Sequence, residues 1–195
     1  MINQSYRLAG LKLQKSFRQD KIFPHLCLYQ FFNQEYYQQL KAEIKRLNFK
    51  KSRQHLSHSC AQAKVPLLLN NFLLSQKFQQ FLFFITGNKV KSLTAKAYQF
   101  GREDYLILND RLQKNHHAEI TLDLTNGWDK NWGGSISYAN GKGEVLALPI
   151  KENTFTIIEL KRNVNRYVKY INHYAKNKKR VFCLVKLTFF KPESL

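Results

Sequence analysis

In the second half of this chain the apolar pattern has a period of two. It runs through eight short stretches: residues 93–100, 105–108, 118–125, 135–138, 145–149, 154–160, 165–171 and 181–189. Side chains of a strand alternate between its faces, so this period marks strands. Eight short strands at close spacing bury their apolar faces in a sandwich or a barrel. Before Leu93 the period is different. Tyr37, Leu40, Ile44 and Leu47 recur at three-to-four spacing, after Asn33 as a helix N-cap and Glu35 in the first turn. A second helix is expected after Ser75, with Phe78, Phe81, Leu82 and Ile85 as its apolar stripe and Gly87 as its stop. Two helices leading into a strand-rich half make an α+β chain.

The chain has 195 residues, enough for one domain with a sizeable core. No apolar run approaches the roughly 18 residues a membrane span needs. Residues 1–22 carry Arg7, Lys12, Lys15, Arg18 and Lys21 without the apolar core of a signal peptide. A cytoplasmic location is therefore expected. Cys27, Cys60 and Cys183 are odd in number, far apart and free of any CxxC pair, which reads as reduced thiols.

Thirty-two Lys and Arg against 13 Asp and Glu leave a formal charge of +19. That excess attracts polyanions: RNA, DNA, an acidic protein or an anionic membrane surface. Basic clusters stand at 41–53, 161–169 and 176–180, with Tyr167, Tyr170 and Tyr174 beside the last two. Lys176, Lys178 and Lys179 are the expected polyanion contacts, although no reader motif for nucleic acid is present.

The segment Trp128-Asp129-Lys130-Asn131-Trp132-Gly133-Gly134 joins two candidate strands. Upstream lie Phe23-Pro24-His25, then Tyr105-Leu106-Ile107 and the pair His116-His117. Downstream lie Pro149, then Asn153 through Glu159, and Arg180 at the start of the last strand. In order and spacing these residues resemble prolyl-hydroxylase-like 2-oxoglutarate/Fe(II) oxygenases over most of the chain. The resemblance implies a double-stranded β-helix, a jelly-roll-like barrel with N-terminal helices supporting one sheet. It implies a basic segment at 1–22 and one domain at 23–195, with helical support at 23–92 and the barrel at 93–190.

In that family a His-x-Asp pair and a distal His hold Fe(II), leaving positions open for 2-oxoglutarate and oxygen. Here the pair falls on Leu108-Asn109-Asp110, and the distal position falls on Arg166. Leucine has no donor atom, and arginine offers only N–H donors, so neither ligates a metal. Arg180 stands where the family's 2-oxoglutarate-anchoring arginine does. The resemblance thus implies a pseudo-oxygenase, with no metal and no cofactor expected and the barrel kept as a binding or scaffolding module. A guanidinium at position 166 is expected to pair with Asp110 in the metal's place.

The alternative is an active prolyl or side-chain hydroxylase using Fe(II) and 2-oxoglutarate. Its ligation would be rearranged through His116 or His117, or completed by an active oxygenase partner chain. A basic RNA-binding domain is a third reading. His55, His58 and Cys60 have no standard zinc spacing and read as exposed residues on the loop before Pro66. Glu119, Thr121 and Asp123 alternate with Ile120, Leu122 and Leu124. They form either the wet face of a sheet or the lining of the barrel.

Overall fold

The computed structural model describes residues 1–7, 9–54, 58–107 and 116–190. Two short helices, α1 (Gln4–Arg7) and α2 (Gly10–Phe17), open the chain, followed by β1 (His25–Leu28), α3 (Gln34–Lys45), β2 (Lys50–Gln54), β3 (His58–Lys64), α4 (Leu67–Leu74) and α5 (Gln76–Thr86). The strand-rich half comprises β4 (Val90–Phe100), β5 (Tyr105–Leu106), β6 (Ala118–Asp123), β7 (Ile136–Ala139), β8 (Val145–Ala147), β9 (Thr154–Glu159), β10 (Asn165–Val168) and β11 (Arg180–Phe189).

The strands pair antiparallel in the order β1-β9-β6-β11-β4-β3-β5-β10-β7-β8, with β2 on the remaining side of β3. This single sheet curls into a half-barrel. The longest ladder runs from Arg180↔Phe100 to Phe189↔Val90, joining β11 to β4. β3 links the two parts of the sheet, pairing with β4 through Ala61–Lys64 and with β5 through His58 and Ser59.

Alternation along the strands divides the core in two. Ile120, Leu122, Phe155, Ile157, Cys183, Val185 and Leu187 face the helices and join Leu40, Leu69, Phe72, Phe78 and Leu82. Tyr138, Ile158, Val168, Phe182 and Leu184 face the concave side with Cys60, Phe100 and Ile136. The helix side is rich in aromatic pairs, including Phe31 stacked on Phe155 at 4.5 Å and Phe72 against Phe78 at 4.6 Å. Such pairs add about 0.5–1.5 kcal/mol each beyond the area they bury.

The two expected helices form where their caps place them. The Asn33 side chain accepts from Tyr36 N–H at 3.0 Å, and Ser75 Oγ accepts from Phe78 N–H at 3.3 Å. Gly87 ends α5 at a φ of 75°, a left-handed conformation that glycine adopts without a Cβ clash. Asn153, at a φ of 55°, fastens β9 to the chain before α3. Its amide accepts from Phe32 N–H and donates to Phe32 O, both at 2.9 Å.

Other elements depart from the sequence reading. The helical layer starts before Phe23: Ile2, Leu13 and Phe17 are buried in the helix-side core, and α2 packs along α5. The stretch around His58 and Cys60 is strand rather than exposed loop, and Cys60 is 2% exposed on the concave side. All three cysteines are free. Burial pushes their thiols up, that of Cys183 to about 12, which leaves them poor nucleophiles. Among the described residues no helix is long and apolar enough to cross a membrane.

Candidate functional site

Every residue of β6 is buried. The strand is covered by helices on one face and by the opposite wall of the half-barrel on the other. Glu119, Thr121 and Asp123 therefore line the concave interior and do not form a wet face. Two carboxylates at these depths require cations or several hydrogen bonds, because an unpaired buried charge costs several kcal/mol. The chain provides one arginine for each.

Asp123 meets Arg180, whose residue is 1% exposed. Arg180 Nη1 lies 2.6 Å from Asp123 Oδ1 and also donates to the Thr125 hydroxyl. Its Nε donates to Gly134 O at 3.3 Å, and its guanidinium stands 5.5 Å from the centre of the Phe182 ring. Thr125 N–H donates to the same Asp123 oxygen at 2.9 Å. The guanidinium is thus occupied by a carboxylate of its own chain. Asp123 Oδ2 and Thr154 Oγ1, on directly paired residues, are buried without a hydrogen-bond partner among the described residues.

At the other end of the stripe, Glu119 gathers three partners. Arg166 Nη1 stands 3.1 Å from Oε2, the Tyr138 hydroxyl donates to Oε2 at 2.9 Å, and His116 Nε2 lies 2.9 Å from Oε1. Burial alone would raise the Glu119 carboxyl. The Arg166 charge and the His116 and Tyr138 contacts outweigh it and hold the group at about 2. Burial and the neighbouring Glu119 charge push the Tyr138 phenol well above its usual range. Burial works against the Arg166 charge, but Glu119 more than compensates, so the guanidinium is held more firmly than usual. The cluster is a carboxylate neutralised by a guanidinium and fixed by two further side chains.

Arg166 and Arg180 thus both point into the half-barrel, on β10 and at the first position of β11. Each takes a carboxylate from β6. Leu108 and Asp110 lie outside the described residues. Of the two adjacent histidines, His116 turns inward. His117 is exposed, with its ring stacked on Phe189 and Nδ1 accepting from Phe189 N–H at 2.8 Å. His25 Nδ1 sits 2.7 Å from Phe23 O, and His173 is exposed. Among the described residues no three His, Cys, Asp or Glu side chains come together as a metal-holding group.

Glu119 and Tyr138 were not singled out as partners of Arg166 from the sequence. The available signal was the polar stripe itself: three polar side chains on a strand flanked by apolar runs need cations from neighbouring strands.

Trp128 and Trp132 close the loop beside Arg180. Trp128 Nε1 donates to Gly133 O at 2.9 Å, and the two indoles meet edge to face at 5.3 Å. Gly133 has φ 82° and ψ −150°, a region that is almost exclusively glycine's. A Cβ at this position would stand 2.0 Å from Tyr170 O. Lys176, Lys178 and Lys179 are all exposed on the connection from β10 to β11.

The family described as "Oxoglutarate and iron-dependent oxygenase degradation C-term" matches residues 46–187. No curated protein matches the chain by sequence. Solved structures with the same fold include a Pseudomonas putida prolyl-4-hydroxylase, with a TM-score of 0.71 and 10% identity over 92% of this chain and 98% of that one. A Trichoplax adhaerens prolyl hydroxylase, solved with a hypoxia inducible factor oxygen degradation domain peptide, has a TM-score of 0.69 and 9% identity over 95% and 90% of the two chains. A Phytophthora capsici prolyl 4-hydroxylase reaches 0.67 with 15% identity, covering 98% of this chain and 68% of that one. These likenesses establish the double-stranded β-helix fold of the 2-oxoglutarate oxygenases.

Proposed function

We propose that this chain, which belongs to the oxoglutarate and iron-dependent oxygenase degradation C-terminal family, is a pseudo-oxygenase that uses its barrel as a binding or scaffolding module. The observation carrying this reading is the pair of internal ion pairs, Arg166–Glu119 and Arg180–Asp123. Iron(II) needs lone-pair donors, and Arg166 brings only N–H donors to the interior. A 2-oxoglutarate carboxylate needs a free guanidinium, and that of Arg180 is already matched by Asp123. Among the described residues each interior arginine faces a carboxylate, with Asp123 Oδ2 and Arg166 Nε the atoms of these two pairs left unpartnered, so these residues do not fit the metal and cosubstrate of an oxygenase.

The alternative, an active hydroxylase with rearranged ligation, draws support from one observation. His116 and Glu119 are adjacent in the interior, and both side chains are types that bind metals. Its obstacle is that Arg166 and Tyr138 already occupy one oxygen of that carboxylate.

Metal analysis of protein purified without oxygen, combined with a 2-oxoglutarate decarboxylation assay, separates the two. The pseudo-oxygenase reading expects substoichiometric iron and no succinate formation. Stoichiometric iron with turnover abolished by His116→Ala would establish the alternative instead.

A further inference from the structure

The interior leaves unexplained a surface on the outside of the same barrel end. Three chain segments meet there, residues 101–104, 129–134 and 169–180, and backbone hydrogen bonds tie them together. Glu103 N–H donates to Ile171 O, Ile171 N–H to Asp104 O, Gly134 N–H to Lys169 O, and Asn172 N–H to Trp132 O. The Asn172 side chain donates to Asn131 O at 2.8 Å. The surface is therefore a fixed platform.

Its exposed side chains are of two kinds. Tyr170 is 51% exposed and Tyr174 is 65% exposed. The Tyr174 ring stands 4.1 Å from that of His173. On the same hydrogen-bonded segments Lys130, Lys169, Lys176, Lys178 and Lys179 reach solvent. Among the described residues none of these lysines forms a salt bridge; the one ion pair of the platform is Arg102 with Glu103, at 3.5 Å. Lys176 itself takes a φ of 49°, where glycine or asparagine would be less strained.

Lysines alone would suit any polyanion. Exposed aromatic rings among them add a requirement for flat, apolar faces on the ligand. Single-stranded nucleic acid has both: phosphates one nucleotide apart and unpaired bases that stack on aromatic side chains. A duplex hides its base faces, and heparin or an acidic protein segment has no regular series of them. We infer that the platform around Tyr170 and Tyr174 is a binding site for single-stranded nucleic acid, with the rings stacking bases and the platform lysines holding phosphates. This is independent of whether the barrel interior binds iron.

The test uses the full chain and three fluorescent probes: a 12-nucleotide oligouridylate, a 12-base-pair RNA duplex, and heparin. Anisotropy titrations run between 50 and 200 mM KCl. The oligouridylate is expected to bind more tightly than the duplex, with an affinity that falls steeply with salt. Tyr170→Ala with Tyr174→Ala should weaken oligouridylate binding by about 10- to 100-fold and change heparin binding little. Tyr170→Phe with Tyr174→Phe should restore it, because phenylalanine keeps the stacking face. Lys176→Gly with Lys178→Ala and Lys179→Ala should reduce the log–log salt slope by about 2, and Lys176→Gly also relieves the backbone there. Unchanged melting of each variant confirms the fold. Equal affinity for oligouridylate and duplex overturns the inference. So does tyrosine removal that leaves oligouridylate binding intact, or that weakens heparin to the same degree; either result would leave a general polyanion surface.

Discussion

Arg166 sets the energetics of the barrel interior, because its removal leaves Glu119 charged in a place water does not reach. Arg166→Ala is expected to cost about 3–5 kcal/mol in urea denaturation at neutral pH. Arg166→Met together with Glu119→Leu should cost much less than the sum of the two single changes, since neither charge is then stranded. The same pair gives a pH dependence. Glu119 is held at about 2 against an ordinary 4.5, so the folded form binds its proton less readily than the unfolded chain does. Its contribution, roughly 3 kcal/mol, is fully present above about pH 5 and is lost as pH falls from 4.5 toward 2. Denaturation midpoints at pH 6, 4 and 3 should decline in that order, and Glu119→Gln should flatten the decline. Only the family resemblance pointed Arg166 and Arg180 inward, and both side chains pair with carboxylates in the interior. Their partners were not legible. Glu119 and Asp123 fit a wet strand face equally well, and only the opposite wall of the half-barrel, with Arg166 on β10 and Tyr138 on β7, decides that this face is buried.

Among the elements, the loop carrying Gly133 and Gly134 constrains its surroundings most. Gly133→Ala is expected to cost about 1–3 kcal/mol from backbone strain alone, with the Tyr170 carbonyl pushed aside in addition. A lowered melting temperature and altered tyrosine fluorescence would register both effects, and an unchanged melting temperature would contradict the strain. The eight strands of the second half and the helices at α3 and α5 were legible because period, caps and glycines agree there. The misses have separate causes. β2 and β3 are rich in polar and charged residues, and β2 is an edge strand, where such residues are favoured. α4 is nearly continuous apolar sequence, so no period separates helix from strand. The N-terminal helices were hidden by basic side chains, although Leu13 and Phe17 lie four apart on one face.

At the scale of the whole molecule, the first 22 residues belong to the core physically. Ile2 bridges to Phe32, and Leu13 and Phe17 pack on the helix layer. Deleting residues 1–22 removes large buried side chains whose single truncation to alanine already costs roughly 2–5 kcal/mol. The shortened chain is expected to lose cooperative unfolding by calorimetry; a sharp transition near that of the full chain would show instead that the barrel stands alone. The charge is distributed just as unevenly. The interior arginines are each matched by a carboxylate, and the net +19 of the chain lies outside them.

The Arg166–Glu119 pair also has a hereditary consequence. Replacing either member alone strands a buried charge, and a loss of about 3–5 kcal/mol is a large part of the 5–15 kcal/mol that holds an ordinary domain folded. A lineage carrying this pair cannot exchange its members one at a time without passing through a barely folded ancestor. Positions 119 and 166 should therefore vary as a unit among descendants. Introducing a histidine at 166 would require a simultaneous change at 119, which makes the pair a ratchet.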